Sequence, residues 1–144
     1  MAASAGREET RIIVIDSSVA VKWYKTDDES AVAAASSLLE EHQARRATLA
    51  VPGHFVAEVL NALRYSRLEL DYVHAAAGAL DEIDLVTVPL TRRLTEPAVA
   101  LARTHHLTIN DALFPALAML LDAELVTADR AQARVTECRV RLLA

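Results

Sequence analysis

Two short stretches of the chain are continuously apolar, a pattern typical of strands that are buried on both faces of a sheet. The first is Arg11 to Ile15 (RIIVI), and the second is Glu124 to Thr127 (ELVT) near the other end of the chain. Three shorter stretches are further strand candidates: Leu49 to Val51, Leu85 to Val88 and Arg139 to Leu142. Pro52 ends the first of these, and Pro89 ends the second. The pattern therefore predicts about five strands, with the first two at the centre of the sheet.

Between these strands, apolar residues recur at the spacing of helices that bury one face. The segments with this spacing are Glu29 to Arg46, Phe55 to Tyr65, Tyr72 to Ile83, Glu96 to Thr104 and Asn110 to Leu121. Strands that alternate with helices predict an α/β fold, a three-layer α/β/α sandwich around a mostly parallel sheet. Ligands of such folds bind beyond the carboxyl ends of the strands, so we expect the site there.

Length and composition favour one domain that spans residues 1–144 around one core. The chain has 144 residues, of which 53% are hydrophobic and 24% are charged, and this balance excludes disordered and linker-dominated classes. No repeat or Gly/Pro-rich linker divides it, and we expect residues 1–10 to be mobile. Cys138 is the only cysteine, which excludes a disulfide framework and a cysteine-based zinc site.

Targeting signals are not visible in the sequence. The N-terminal apolar run is too short for a signal peptide, and the run from Ala112 to Leu121 is about half of the ~20 residues that span a bilayer. We therefore expect a soluble cytoplasmic protein that does not bind membranes.

The net charge of −5 argues at first against a nucleic-acid ligand. The basic residues are 13 Arg and 2 Lys, and Arg pairs occur at Arg45/Arg46, Arg92/Arg93 and Arg139/Arg141. Local basic patches are therefore compatible with the acidic total, although such pairs are commonly just solvated surface positions. The sequence does not identify which Arg residues contact a substrate.

Two acidic residues follow the two central strands. Asp16 comes directly after the first, and Asp129 comes two residues after Thr127, the end of the second. Both are expected at the ligand-binding edge. Each has an alternative role as the N-cap of the helix that follows, because Asp is a favoured capping residue.

Two further acidic residues lie near or on helices. Glu58 has apolar neighbours on its helix, and a half-buried carboxylate needs a partner or a cation. Its alternative is a surface Glu paired with Arg64. Asp111 follows Thr108 at the spacing of a capping box, so a purely structural role is its strongest alternative.

Four carboxylates at one edge of a sheet would repel one another without a cation, because like charges at close range raise one another's pKa values. Hard oxygen ligands, with hydroxyls from Ser17, Ser18 and Thr127 nearby, select Mg²⁺ or Mn²⁺. The pattern therefore predicts a Mg²⁺ site, in which Mn²⁺ can substitute.

At this point the sequence resembles the PIN-domain family of nucleases and, within it, the VapC-type toxins of bacterial toxin–antitoxin pairs. The matching segments are VIDSSVAVKWY (Val14 to Tyr24), AEVLNAL (Ala57 to Leu63) and NDALFPALAMLLDAELVTADRA (Asn110 to Ala131). With the helices between them, the resemblance extends from Ile12 to Leu142. It places the family's four acids on Asp16, Glu58, Asp111 and Asp129, and its accompanying polar positions on Ser18, Asn61 and Thr127. Pro115 departs from the family pattern, and we expect a kink near Asp111.

The resemblance implies a Mg²⁺-dependent endoribonuclease in which Asp16 and Asp111 hold the metal most directly, while Glu58 and Asp129 complete the site. A metal-activated water would cleave single-stranded or loop RNA without a protein nucleophile. The resemblance also implies a homodimer and a small cognate antitoxin whose tail blocks the acidic groove. The alternatives are a non-catalytic interaction module with the same fold, and a nuclease that acts outside a toxin–antitoxin pair.

Other chemistries find little support in the sequence. Phosphoryl-accepting receiver domains and aspartate-nucleophile phosphatases need a late-chain Lys, and the lysines here are Lys22 and Lys25. The five histidines lack metal-binding spacing and are interpreted as structural. Glycine-rich phosphate-binding loops are absent, so nucleotide cofactors are not expected. The sequence does not tell which RNA is cleaved, or whether one or two metal ions bind.

Overall fold

The five strands of the protein form one parallel sheet in the order β3-β2-β1-β4-β5. The computed structural model describes residues 10–27 and 31–143. The strands are β1 (Arg11–Ile15), β2 (Ala47–Pro52), β3 (Val86–Val88), β4 (Glu124–Thr127) and β5 (Val140–Leu142). The strand order reverses between β1 and β4, and such a switch point opens a crevice at the carboxyl ends of the two strands.

Seven helices in the described part of the chain connect and cover these strands. They are α1 (Ser17–Tyr24), α2 (Val32–Gln43), α3 (Phe55–Tyr65), α4 (Leu70–Glu82), α5 (Arg92–His105), α6 (Ile109–Leu121) and α7 (Arg130–Ala133). Right-handed crossovers place α1 to α4 on one face of the sheet and α5 to α7 on the other. The packing agrees, since α1 contacts α2 and α3, while α6 contacts α5 and α7. The expected α/β/α sandwich is confirmed.

The core lies on both sides of β1 and β4. Ile13, Val14 and Ile15 are completely buried, whereas Ile12 at the start of β1 is 41% exposed, so only the second half of this strand is buried on both faces. Helix α6 is the most buried helix, with every residue from Ala112 to Ala118 inaccessible or nearly so. This apolar run therefore forms a core helix. Within the part of the chain that the structure describes, no helix is both long and apolar enough to cross a bilayer.

Element boundaries differ from the sequence predictions at a few places. The helix predicted from Glu29 to Arg46 ends at Gln43, because Arg45 takes a left-handed conformation (φ 60°) before β2 begins. Its predicted start at Glu29 lies outside the described residues, as does almost all of the segment 1–10. The pattern missed α1 and α7 as helices, although it identified Asp16 and Asp129 as their capping residues. Both helices are short, and short helices carry little periodic signal.

Candidate active site

Asp16 is placed by the register of the two central strands. Ile15 pairs with Val126, so the residues that follow these two, Asp16 and Thr127, lie side by side at the carboxyl ends of β1 and β4. The backbone N–H of Asp16 donates to the carbonyl of Val126 at 3.0 Å and extends the pairing by one residue. Asp16 is only 4% exposed and lies at the switch point of the sheet.

Three neutral groups donate hydrogen bonds to the buried carboxylate of Asp16. The backbone N–H of Ser18 donates to Oδ2 at 3.2 Å, the hydroxyl of Thr127 donates to Oδ2 at 3.3 Å, and Nε2 of Gln132 donates to Oδ1 at 3.0 Å. The contact with Ser18 caps α1. The capping role considered from the sequence is therefore real, but it uses only one of the three donors.

The polar residues after β4 hold the loop that carries Asp129. The hydroxyl of Thr127 accepts from the backbone N–H of Asp129 at 3.0 Å, and the hydroxyl of Ser18 accepts from that of Ala128, also at 3.0 Å. Oδ1 of Asp129 accepts from the N–H of Ala131 at 2.9 Å and caps α7. This contact leaves Oδ2 of Asp129 available for another ligand.

Asp111 enters the site from the first turn of α6. Thr108 caps this helix by accepting the backbone N–H of Asp111 at 3.1 Å, so the cap fixes the backbone of Asp111 while its carboxylate faces the cluster. Burial raises the pKa of Asp111, and the negative charges of Asp16 and Asp129 raise it further.

Glu58 enters from α3, on the opposite face of the sheet, and is half-buried. Burial raises the pKa of Glu58; nearby His54 lowers it, and the charges of Asp111 and Asp16 raise it again. Arg64, the partner considered from the sequence, lies 4.7 Å over the ring of Tyr65. The structure thus brings all four predicted acids into electrostatic contact, and we call them the acidic cluster (Asp16, Glu58, Asp111 and Asp129).

The acidic cluster is not a closed ligand cage. Within residues 10–27 and 31–143, no three His, Cys, Asp or Glu side chains stand together at metal-binding spacing. The ion pairs that join described residues use other acids, namely Glu41, Glu96, Glu124 and Glu137. The chemistry of the donor set, carboxylates with neighbouring hydroxyls and a raised pKa at two of the acids, nevertheless fits a hard divalent cation.

Two predicted features remain apart from this cluster. Asn61 lies exposed on α3, three residues after Glu58, and makes no hydrogen bond to the other site residues in the described chain. One member of each Arg pair forms an exposed ion pair: Arg46 with Glu41, Arg92 with Glu96 and Arg141 with Glu124. These contacts support the interpretation of the Arg pairs as solvated surface positions.

Sequence reasoning missed two residues beside the cluster. Gln132 is completely buried on α7 and donates both to Asp16 and to the backbone carbonyl of Asp111, at 3.1 Å for the second contact. His54 precedes α3 and contacts the carbonyl of Asn110 through Nε2 at 2.8 Å, and it packs on the ring of Phe114. The one signal for Gln132 is Pro115, which deprives the carbonyl of Asp111 of its helical donor.

Solved structures of several toxin–antitoxin proteins resemble this fold. VapBC2 from Rickettsia felis, bound to a DNA fragment from their promoter, superposes with a TM-score of 0.69 at 17% identity, over 92% of this chain and 99% of that one. VapC20 from Mycobacterium tuberculosis, a Sarcin-Ricin loop cleaving toxin, gives 0.65 at 19% identity, over 88% and 98%. A toxin–antitoxin complex from Klebsiella pneumoniae gives 0.62 at 21% identity, over 88% and 98%.

Sequence comparisons give one positive result. No curated protein matches the chain at a significant level. The family model of the PIN domain matches residues 13–137, which contain β2, β3, β4, the last three residues of β1 and every member of the acidic cluster. The match covers most of the chain and agrees with the fold of the similar structures. The chain therefore belongs to the PIN domain family.

Proposed function

We propose that the protein is a Mg²⁺-dependent endoribonuclease that hydrolyses phosphodiester bonds at the acidic cluster. The observation that carries the proposal is that three further carboxylates lie within electrostatic range of Asp111 at the switch point of the sheet: Asp16 and Asp129, which follow strands, and Glu58, from a helix on the opposite face. Membership of the PIN domain family supports it.

Asp16 and Asp111 are the proposed main ligands of the metal, with Glu58 and Asp129 completing the site. When bound, a divalent cation lowers the pKa of a water molecule and stabilises the charge that develops at phosphorus. Asp16 is preorganised for this role by its three neutral donors, which fix both carboxylate oxygens without neutralising them. Glu58 and Asp111, whose pKa values are raised, gain most from a nearby positive charge.

A hydroxyl nucleophile does not fit the geometry. The hydroxyl of Thr127 donates to Asp16 and accepts from the N–H of Asp129, and the hydroxyl of Ser18 accepts from Ala128. Both groups are therefore engaged in positioning the loop and the carboxylate. Water is therefore the proposed nucleophile.

The substrate strand is proposed to leave the acidic cluster along α1. A groove of about 300 Å³ is lined by Ser18, by Lys22 and Lys25, the two lysines of the chain, and by one acid, Asp27. A neighbouring groove of about 340 Å³ shares Lys25 and adds Arg67 and Tyr72, a cation and an aromatic ring. Cations that follow a backbone beside an aromatic platform suit a single strand, despite the acidic net charge.

RNA as the substrate and toxin as the biological role rest on similarity. One of the similar structures is a toxin that cleaves the Sarcin-Ricin loop, and others are toxin–antitoxin complexes. We propose a small cognate antitoxin and a homodimer on the same basis. The exposed side chains of Tyr65 (74%), at the end of α3, and Leu70 (67%), at the start of α4, support a protein partner.

The test of the nuclease is cleavage of a mixed RNA pool with Mg²⁺ or Mn²⁺, repeated with EDTA. We expect metal-dependent cleavage in the wild type and a loss of at least about 100-fold in Asp16→Asn, because removal of a ligand should exceed the effect of losing an outer partner. Asp81→Asn, an exposed acid on α4, is the matched control. Cleavage that survives EDTA, or full activity in Asp16→Asn, would contradict the proposal, whereas a wild type that cleaves nothing with either metal would favour a non-catalytic module.

The substrate groove and the partner have separate tests. Lys25→Gln should weaken RNA binding and lower the slope of log affinity against log salt by about 1, while Arg103→Gln, an exposed cation on α5, should change neither.

Co-expression with the product of the adjacent reading frame should give a complex that survives purification. No binding at micromolar concentration would argue for a nuclease outside a toxin–antitoxin pair. Light scattering of the purified protein tests the homodimer.

A further inference from the structure

Pro115 leaves one backbone carbonyl of α6 without its helical partner. In an α-helix the carbonyl of residue i accepts the N–H of residue i+4, and proline has no N–H. Asp111 stands four residues before Pro115, and α6 nevertheless continues without a break from Ile109 to Leu121. The carbonyl of Asp111, in the turn that carries the proposed metal ligand, therefore needs a donor from elsewhere in the fold.

Gln132 supplies this donor. Its Nε2 lies 3.1 Å from the carbonyl oxygen of Asp111 and 3.0 Å from Oδ1 of Asp16. An amide nitrogen carries two hydrogens, so one group can serve both acceptors. Gln132 is fully buried, and it thereby joins α7, the first turn of α6 and the end of β1 at a single point.

The remaining atom of the same amide argues against a purely structural role. Oε1 of Gln132 is buried and has no hydrogen-bond partner among the described residues. An unpaired buried oxygen costs free energy, so a residue that merely filled this space would do so better with an apolar side chain. The benefit of the amide lies in its two donations, and both act on the proposed metal ligands.

We propose that Gln132 is a positioning residue for the metal site, and that Pro115 and Gln132 act as a pair. Pro115 frees the carbonyl of Asp111, and Gln132 binds it while orienting the carboxylate of Asp16. The inference rests on the proposed function for its metal part, whereas the pairing with Pro115 is a statement about the fold alone.

The experiment uses Gln132→Met, Pro115→Ala, the double variant, and Gln43→Met as a matched control. Gln43 is the other glutamine of the chain and lies exposed near the end of α2. Met keeps the length of the side chain without the amide, and Ala at position 115 restores the N–H that can bond the carbonyl of Asp111. Mn²⁺ binding, followed by the paramagnetic signal of the free ion, and melting temperatures in EDTA are measured for each protein.

Gln132→Met should weaken Mn²⁺ binding by 10- to 100-fold, the effect that is usual for outer partners of metal ligands. Cleavage should recover when Mn²⁺ is raised above the new dissociation constant, because Gln132 does not touch the substrate. Gln43→Met should bind Mn²⁺ as the wild type does. Wild-type affinity in Gln132→Met would overturn the positioning role.

The melting temperatures test the pairing. In the double variant the restored N–H donates to the carbonyl of Asp111. The decrease in its melting temperature should therefore be smaller, by a few degrees, than the sum of the decreases in the two single variants. Mn²⁺ binding should stay weak in the double variant, because Oδ1 of Asp16 still lacks the donor that Gln132 supplies. If Gln132→Met does not fold, the double variant and Pro115→Ala carry the comparison of Mn²⁺ affinities. Additive losses would overturn the pairing. A wild type that binds no Mn²⁺ would instead overturn the proposed function and leave the pairing to be judged by the melts.

Discussion

The two edges of the parallel sheet differ in how their polar side chains are bonded. At the amino edge, His42 of α2 accepts the N–H of Leu49 through Nδ1 at 3.0 Å. Its Nε2 therefore carries the proton and donates to the carbonyls of Ile83 at 3.1 Å and Asp84 at 3.3 Å. Both ring nitrogens are satisfied, and α2, β2 and the end of α4 are held together.

At the carboxyl edge, the acidic cluster gathers like charges and leaves Oε1 of Gln132 unpaired. We expect this arrangement to lower the stability of the metal-free fold, and a cation at the proposed site would relieve the repulsion. The difference teaches that a partly buried histidine and a partly buried group of carboxylates have different consequences. The contacts of His42 join elements of the fold, whereas the acids at the carboxyl edge repel one another and are the proposed binding site.

The largest expected effect is at the amino edge. His42→Ala removes three contacts and leaves the N–H of fully buried Leu49 without its acceptor, so the free energy of unfolding should fall by about 3 kcal/mol. Urea denaturation measures it, with His74→Ala, exposed on α4, as the control. RNA cleavage per folded molecule should not change. A loss below about 1 kcal/mol would remove the distinction between the two edges.

A bound divalent metal should offset the repulsion among the acids at the carboxyl edge and so raise the free energy of unfolding. Mg²⁺ or Mn²⁺ at about 100 times its dissociation constant should stabilise the fold by roughly 2.7 kcal/mol, because it binds the assembled acids of the native state and not the dispersed acids of the unfolded chain. Thermal melts at constant ionic strength check this prediction, and EDTA should restore the original melting temperature. Melting that is indifferent to millimolar metal would contradict the site.

One residue at the amino edge has a strained backbone conformation. Asp122, between α6 and β4, has φ 48° in the left-handed region, where a side chain is unfavourable and glycine is not. Asp122→Gly also removes a negative charge from the end of α6, so we expect about 1 kcal/mol of stabilisation in urea denaturation. Glu40→Gly, in the interior of α2, should give the opposite sign at about the same size. Destabilisation by Asp122→Gly would contradict the argument.

The smallest expected change in stability distinguishes two roles of Asp111, that of a metal ligand and that of a helix-capping residue. Its raised pKa means that the folded state keeps a proton to higher pH than the unfolded state does, so the metal-free stability falls as pH rises through that window and the penalty is complete at neutral pH. Asp111→Asn removes this penalty and keeps the backbone N–H that Thr108 accepts. The variant should gain about 0.5 kcal/mol at pH 7 in EDTA, and the gain should vanish at acid pH.

The same variant should lose RNA cleavage with Mg²⁺. Melts of wild type and Asp111→Asn across pH, combined with the cleavage assay, make the measurement. If Asp111 were only part of a capping box, neither stability nor cleavage would change appreciably, because Asn serves such positions about as well as Asp. Full cleavage in Asp111→Asn would remove this residue from the proposed ligands.

Much of the fold and part of the site were predictable because their signals are local. The buried runs at β1 and β4 and the spacing of Phe55, Val59 and Leu63 predict elements that the structure contains. Once two strands are known to be parallel and adjacent, the residues after them must meet at one edge, which places Asp16 beside Thr127.

What the sequence by itself determined is the five strands, the longer helices without α1 and α7, and the α/β class. The role of the four acids remains a prediction. Only the tertiary structure decided that Gln132 donates to Asp16, 116 residues away in sequence, and to the carbonyl of Asp111 that Pro115 leaves without a helical donor. It also decided that His42 bonds Leu49 and Ile83 at the opposite edge of the sheet. The reason is physical. Periodicity records which face of an element is buried, whereas the partner of a single buried polar atom depends on packing between elements that no local pattern encodes.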